Sequence, residues 1–306
     1  MSQLPNGLIA FGPQANCTLE LCPIEWSILK YQPSQAASGV FIGIFGLTLL
    51  LHAAQGIWRR TWGFMVCMVC GCILEIAGYV GRLLIHNNPF DFNGFIMQIV
   101  CITIAPVFYC SAIYVTLSQV INALDTSISR LKPALFYWIF IPCDIVSLVL
   151  QAAGGALSCV ATNKDAVQVG VNISLAGLVF QVFTLICFCI LFADYLLLAK
   201  KSSWNRVDKP MKLFLSFLFL SIFFVLLRCV YRIVELHDGY FSEWFRDEDL
   251  FIALESAIMA AAVISLNIGH PGPVLGSKKE AGSTRSRETF HLHKSKDTFL
   301  LPLIST

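Results

Sequence analysis

Seven long apolar runs divide this chain. A helix needs about 20 apolar residues to cross the roughly 30 Å hydrocarbon core of a bilayer. The runs lie at about 36–57, 62–84, 95–121, 135–159, 170–198, 211–235 and 250–269. Each run is continuous rather than alternating, which excludes a membrane β-barrel. The sequence therefore predicts an all-α membrane protein, a bundle of seven transmembrane helices.

Composition agrees with a membrane protein and excludes one class of partner. The chain is 57% hydrophobic and 13% charged, whereas soluble proteins are about 25% charged. Lys and Arg number 21 against 19 Asp and Glu, and no basic stretch is interleaved with aromatic residues. We therefore expect no nucleic acid as a main partner.

The distribution of cationic residues predicts the orientation. Fifteen of the 21 Lys and Arg residues lie in segments that follow the odd-numbered runs, and four lie on the opposite side. Lys and Arg accumulate on the cytoplasmic side of membrane proteins. We expect an extracellular segment at 1–35, a membrane domain at 36–270 and a disordered cytosolic tail at 271–306. The start of the chain does not have the pattern of a cleavable signal peptide.

The N-terminal segment carries two further signals of an extracellular location. Asn16-Cys17-Thr18 fits the acceptor pattern for N-glycosylation at Asn16. Cys17 and Cys22 would lie in an oxidising compartment and could form a disulfide, with Cys159 also near that side, so the pairing stays open. The spacing Cys67-x-x-Cys70-x-Cys72 lacks nearby partner ligands for zinc. We expect no metal and no other cofactor.

Several polar side chains interrupt the apolar runs. An ionisable group at mid-bilayer costs about 2.5–3.5 kcal/mol on insertion scales, so each needs a partner or a purpose. Glu75 and Arg82 share one helix face, as do Arg228, Arg232 and Glu235. The candidate substrate-binding residues are Glu75, Arg82, Gln98, Asp144, Gln151, Gln181, Arg228, Arg232, Glu235 and Glu255.

Two interpretations of these residues stay open. In the first, Glu75 and Glu255 neutralise Arg228 and Arg232 in a buried structural network. In the second, the residues line a polar pocket in the outer half of the bundle that takes the headgroup of an amphiphile. The chain has no GxxxxGK[ST], HExxH or GxSxG motif. We therefore do not expect an enzyme.

Three motifs resemble the fungal RTA-like family of lipid-translocating exporters, and the resemblance extends over about 35–272. The motifs are Glu75-x-x-Gly78-Tyr79-x-x-Arg82, Asp144-x-x-Ser147-x-x-x-Gln151-x-x-Gly154-Gly155 and Arg228-x-x-Tyr231-Arg232-x-x-Glu235. One position departs from the family pattern, because Glu255 stands where the family usually has Asp. Substrate preference therefore cannot be transferred from the resemblance.

The resemblance implies a lipid or amphiphile translocator of the plasma membrane. Its substrates would be sphingoid long-chain bases or similar cationic amphiphiles, and its export activity would give resistance to toxic amphiphiles. Glu75, Asp144 and Glu255 would attract the amine headgroup, and Arg228 and Arg232 would balance their charge in its absence. The alternative is a seven-helix sensor of membrane lipids without transport activity. The sequence leaves the oligomeric state open.

Overall fold

Seven long helices form the protein. The structure, a computed structural model, describes residues 7–124, 132–161, 163–203, 209–237 and 246–272. The helices are α1 (Gln35–Arg59), α2 (Trp62–Asn87), α3 (Phe92–Leu124), α4 (Pro133–Val160), α5 (Lys164–Ser203), α6 (Lys209–His237) and α7 (Glu248–Ile268). All seven are long and apolar enough to cross a membrane. The prediction of a seven-helix, multi-pass membrane protein is confirmed, whereas most of the expected tail, 273–306, lies outside the described residues.

The helix ends follow from local sequence rather than from hydropathy. Ser34 caps α1 because its Oγ accepts a hydrogen bond from the backbone N–H of Ala37 (3.3 Å). α1 ends at Arg59 and is capped by Arg60, which adopts a left-handed conformation with φ 55°. α4 begins with Pro133, whose missing N–H is harmless in the first turn of a helix. These signals extend most helices beyond their predicted apolar runs.

α7 contains a turn of π-helix. Residues Phe251–Ala257 have π-helical geometry, and regular α-helix continues from Ile258. The Ser256 hydroxyl donates to the carbonyl oxygen of Phe251, five residues earlier (3.4 Å). Such wide turns within α-helices are frequent at functional sites. Glu255 lies inside this turn.

α4 and α5 pack with their backbones in close contact. A Cβ atom at Gly154 would lie 2.4 Å from the carbonyl oxygen of Gly170 and 2.4 Å from the backbone nitrogen of Ser174. Ser158 bridges the same helices, because its hydroxyl lies within hydrogen-bond distance of the carbonyl oxygens of Gly154 (3.0 Å) and Val167 (3.3 Å). Small residues allow this approach in membrane bundles.

Residues 7–34 pack over one end of the bundle, which we call the capped face. A disulfide joins Cys17 and Cys22, and the Phe11 ring packs edge-on against the ring of Phe95 at the start of α3 (5.6 Å between centroids). Gln32 Nε2 donates to the carbonyl oxygen of His86 (2.6 Å). The C-terminal ends of α2, α4 and α6 and the N-terminal ends of α3, α5 and α7 lie at this end, and the other ends of these helices lie at the opposite face.

Candidate functional site

A buried ion pair joins α6 to α7 near the middle of the bundle. Arg228 and Glu255 are each 1% exposed. Arg228 Nε donates to Glu255 Oε1 (2.8 Å), and Arg228 Nη2 contacts the same oxygen. The guanidinium also donates from Nη2 to the carbonyl oxygen of Ile102 on α3 (3.0 Å). One side chain therefore links three helices.

A proline makes the Ile102 carbonyl available. Pro106 lies inside α3 and has no backbone N–H. The acceptor left without its helical donor is the carbonyl four residues earlier, which is Ile102. Arg228 supplies the missing donor. Pro106 and Arg228 are thus linked through the Ile102 carbonyl, which Pro106 leaves free and Arg228 binds.

Glu75 on α2 lies beside this pair but outside it. The side chain is 1% exposed, and it is close enough to Arg228 and Glu255 to interact with both electrostatically. Its Oε1 atom is buried and has no hydrogen-bond partner among the described residues, and the same is true of Glu255 Oε2. Two carboxyl groups therefore share one guanidinium, with two oxygen atoms left unsatisfied.

A second charged cluster lies closer to the capped face. Arg82 Nη2 donates to Glu248 Oε1 (2.8 Å) and to the hydroxyl of Tyr31 (3.3 Å). Its guanidinium carbon lies 4.1 Å from the centre of the Phe251 ring, a cation–π contact. Glu248 Oε1 also accepts from the backbone N–H of Ser34 (2.7 Å). This cluster fixes the N-terminal segment and the start of α1 to α2 and α7. Burial raises the pKa of the Tyr31 phenol.

Arg232 and Gln98 lie next to the second cluster. Arg232 Nη1 forms an ion pair with Glu235, three residues on along α6. Arg232, Glu235, Gln98 and Arg82 line one small cavity under the N-terminal segment. Gln98 is 3% exposed. The three arginines that are buried in the described part of the chain therefore each pair with a different carboxylate.

The other candidates form two hydrogen bonds that involve no cation. The Tyr114 hydroxyl donates to Asp144 Oδ2 (3.1 Å), joining α3 to α4. Gln151 Nε2 donates to Gln181 Oε1 (3.0 Å), joining α4 to α5. Asp144 is 1% exposed and has no ion pair within 4 Å among the described residues. Like Glu75, it is a buried carboxyl group without its own cation.

A much larger cavity of about 480 Å³ lies between α3, α4, α5 and α6. Its walls are mostly apolar, and Arg232 is its one charged lining residue among those described. Gln151 also lines it, whereas Glu75, Asp144 and Glu255 do not. The ten sequence-predicted residues therefore fall into three groups. Glu75, Arg228 and Glu255 lie at the centre of the bundle; Arg82, Gln98, Arg232 and Glu235 lie near the capped face; and Asp144, Gln151 and Gln181 form the two contacts that involve α4.

The opposite face holds a buried histidine. His270 is 6% exposed, its Nδ1 accepts from the backbone N–H of Gly272 (3.0 Å), and its Nε2 lies 3.4 Å from Thr61 Oγ1. Burial, with a smaller effect from the positive charge of Arg59, lowers the pKa of His270 to about 4. The ring is therefore neutral near pH 7.

The structure revises the pairing that we expected from the sequence. In the first interpretation Glu75 and Glu255 neutralise Arg228 and Arg232, but Arg232 pairs with Glu235 instead. The sequence-based site also omits Tyr31, Tyr114 and Glu248, which hold Arg82 or Asp144. Tyr31 and Glu248 are far in sequence from Arg82, so no local pattern indicates their contacts. The i, i+3 spacing of Arg232 and Glu235 was a usable signal.

The chain is similar to one protein family and to several yeast proteins. Residues 68–278 match the family model described as RTA1 like protein. The chain is 33% identical over 267 residues to a Saccharomyces cerevisiae protein named sphingoid long-chain base transporter RSB1, covering 76% of this chain and 70% of the relative. It is 29% identical over 280 residues to the yeast protein named protoporphyrin uptake protein 1, covering 79% and 91%. It is 23% identical over 286 residues to yeast protein RTM1, covering 80% and 92%. No solved structure matches the chain.

Proposed function

This chain belongs to the RTA1-like family, and we propose that it moves amphiphiles with a cationic headgroup, sphingoid long-chain bases in particular, across the membrane. The identity to a relative named as a sphingoid long-chain base transporter supports this substrate class. The absence of the three enzymatic motifs from the sequence supports a transporter rather than an enzyme. Export of such compounds would give resistance to toxic amphiphiles.

The observation that carries the proposal is that Glu75, at the centre of the bundle, is not the ion-pair partner of any buried arginine in the described part of the chain. Arg228, Arg232 and Arg82 each pair with a carboxylate other than Glu75. An ionised carboxyl group in the hydrocarbon core is costly without a cation. The ammonium group of a sphingoid base supplies one positive charge, and Glu75 Oε1 is an unsatisfied acceptor for it. Asp144 is a second acidic group of the same kind on α4.

In this structure Glu75 is closed off from both faces and from the bilayer. It is 1% exposed, so a headgroup reaches it when the helices separate. The Arg228 guanidinium holds α3, α6 and α7 together at that level. Movement of α2 or α3 relative to this contact would open a path. The arrangement fits a carrier in an occluded state.

We further propose that the capped face lies outside the cell and that the protein resides in the plasma membrane. The excess of Lys and Arg in the sequence segments that follow the odd-numbered helices supports this orientation. The Cys17–Cys22 disulfide belongs to an oxidising compartment. Asn16, the predicted glycosylation site, is exposed at the same face.

The test is the flip rate of a fluorescent sphingoid base in liposomes that contain the purified protein alone. Glu75→Gln keeps the shape of the side chain and removes its charge. A hydrogen bond to a charged group contributes about 1.5–3 kcal/mol, so the rate should fall about tenfold to a hundredfold. Asp165→Asn removes a carboxylate from an exposed position at the start of α5 and serves as the matched control.

Two outcomes would contradict the proposal. An unchanged flip rate in a folded Glu75→Gln protein would remove this carboxyl group from the transport path. Absence of movement by both the original protein and the variant, with or without an ion gradient, would favour the sensor of membrane lipids. A melting curve of each variant in the same detergent establishes that it is folded.

A further inference from the structure

The large cavity lies on the side of the bundle away from Glu75 and extends deep into the membrane domain. Ile145 lines its inner end and Cys159 its end at the capped face. These residues are 14 positions apart on α4, which corresponds to about 21 Å at 1.5 Å per residue. The hydrocarbon of one leaflet is about 15 Å thick, half of the roughly 30 Å core. The cavity is therefore long enough to run from the capped face to the middle of the bilayer.

The cavity is open along its side towards lipid. Phe11 and Ile28 of the N-terminal segment lie at its end under the capped face. Along its side, apolar residues of α3 and α4 are exposed: Val100 by 44%, Ile145 by 51% and Val149 by 61%. Exposed apolar side chains within membrane spans face the acyl chains of the bilayer. Molecules therefore reach this cavity sideways, from the leaflet at the capped face.

Small residues of α4 provide the space. Ala152, Gly155 and Ala156 line the cavity at i, i+3 and i+4 spacing, so they share one helix face. The volume of about 480 Å³ falls within the range of small-molecule sites, about 300–1,000 Å³. The cavity is therefore large enough to hold the hydrocarbon chain of an amphiphile.

The polar lining residues lie towards the capped face. Arg232 of α6 and Ser158 of α4 are near the ends of their helices at that face, and Gln151 lies one to two turns deeper. The inner end is lined by Ile104 and Ile145. A molecule with one polar end and one apolar chain therefore fits the cavity with its headgroup towards the capped face. An amphiphile in the adjacent leaflet has the same orientation.

We propose that this cavity binds a single-chain amphiphile from the leaflet at the capped face, with its hydrocarbon chain along Ala152, Gly155 and Ala156 and its headgroup near the neutral polar side chains of Gln151 and Ser158. The positive charge of Arg232 is balanced by its ion pair with Glu235. The assignment of a sphingoid base as the occupant rests on the proposed transport function. The site is distinct from Glu75, which lies on the other side of α3. It is the position at which substrate is exchanged with that leaflet.

The experiment uses a sphingoid base with a photoreactive group in its alkyl chain, in liposomes that contain the purified protein. After irradiation and proteolysis, mass spectrometry locates the label. We expect it on cavity-lining positions of α3 and α4. Ala152→Phe should reduce this labelling severalfold, because it fills the cavity. Ala153→Phe places the same ring one residue further on, at an exposed position outside the lining, and should leave the labelling unchanged.

Parallel samples contain a lysophospholipid or a fatty acid with the same photoreactive chain. Labelling of the cavity by the sphingoid base above these two supports the proposal. Stronger labelling by either competitor would overturn the assignment of the occupant. Labelling spread evenly over the lipid-facing surfaces of all helices, or unaffected by Ala152→Phe, would overturn the site itself.

The flip assay on the same liposomes separates this inference from the proposed function. Cavity labelling without any flipping would support the binding site and contradict transport. Flipping that proceeds without cavity labelling would contradict the site and leave transport in place. Ala152 is exposed, so the larger side chain does not disturb the packed interior, and the melting temperatures of both Phe variants establish that they are folded.

Discussion

The link between Arg228 and the Ile102 carbonyl can be tested by a double-mutant cycle. Arg228→Lys keeps the charge opposite Glu255 but replaces the planar fork by a point donor, which cannot serve both acceptors in the same geometry. The Ile102 carbonyl then lacks a donor, at a cost of about 1–3 kcal/mol in the free energy of unfolding. Pro106→Ala supplies a backbone N–H to the same carbonyl.

Pro106→Ala should therefore stabilise the Arg228→Lys protein by about 1–3 kcal/mol more than it stabilises the original protein. The gain in helix propensity is the same in both backgrounds and cancels in the cycle. The measurement is reversible unfolding in mixed micelles, with far-UV circular dichroism as the signal. Pro142→Ala in α4 is the matched control, because the carbonyl that Pro142 leaves free belongs to Trp138, whereas the hydrogen bonds of Arg228 go to Glu255 and Ile102. Equal effects of Pro106→Ala in both backgrounds, within about 0.5 kcal/mol, would refute the reasoning.

Three further predictions follow from the packing and the surface. Gly154→Ala should lower the melting temperature, because the added carbon would lie 2.4 Å from the backbone of α5. Ala153→Ser, at the exposed neighbouring position, should leave the melting temperature unchanged. An equal decrease in both variants would contradict the explanation by helix contact. His270 binds a proton more weakly when folded, so its contribution to stability is complete above about pH 6.5 and is lost as the pH falls towards 4. Melting temperatures should therefore fall less over that range in His270→Gln than in the original protein, and parallel curves would exclude His270 as the cause. Asn16→Gln should abolish the mobility shift that a glycosidase produces on gels, and a shift that persists would place the glycan elsewhere.

Hydropathy predicts the helices well because the bilayer imposes one length scale on all of them. The seven apolar runs coincide with α1 to α7, and the differences lie at the ends. α5 begins at Lys164 rather than near 170 and extends to Ser203. Hydropathy detects the part of a helix in hydrocarbon, whereas a helix continues into water until a cap or a helix-breaking residue ends it.

The sequence also identifies the buried polar residues but not their partners. Glu75, Arg228 and Glu255 are recognisable because charges are rare in membrane spans. Which carboxylate meets which arginine depends on how helices far apart in the sequence rotate against each other. Arg82 and Glu248 are 166 positions apart, and the Ile102 carbonyl is a backbone atom that a side-chain inventory omits. The π turn of α7 likewise follows from no local sequence pattern.

That π turn changes the directions of two carboxylates on α7. Glu248 and Glu255 are seven positions apart, a spacing that places two side chains on one face of a regular α-helix. In the wider turn at Phe251–Ala257 each residue advances by less than the roughly 100° of an α-helix, so Glu255 is turned away from the face that carries Glu248. Here Glu248 contacts Arg82 on α2 and Glu255 contacts Arg228 on α6. A single helix thereby supplies a carboxylate to each of two neighbours.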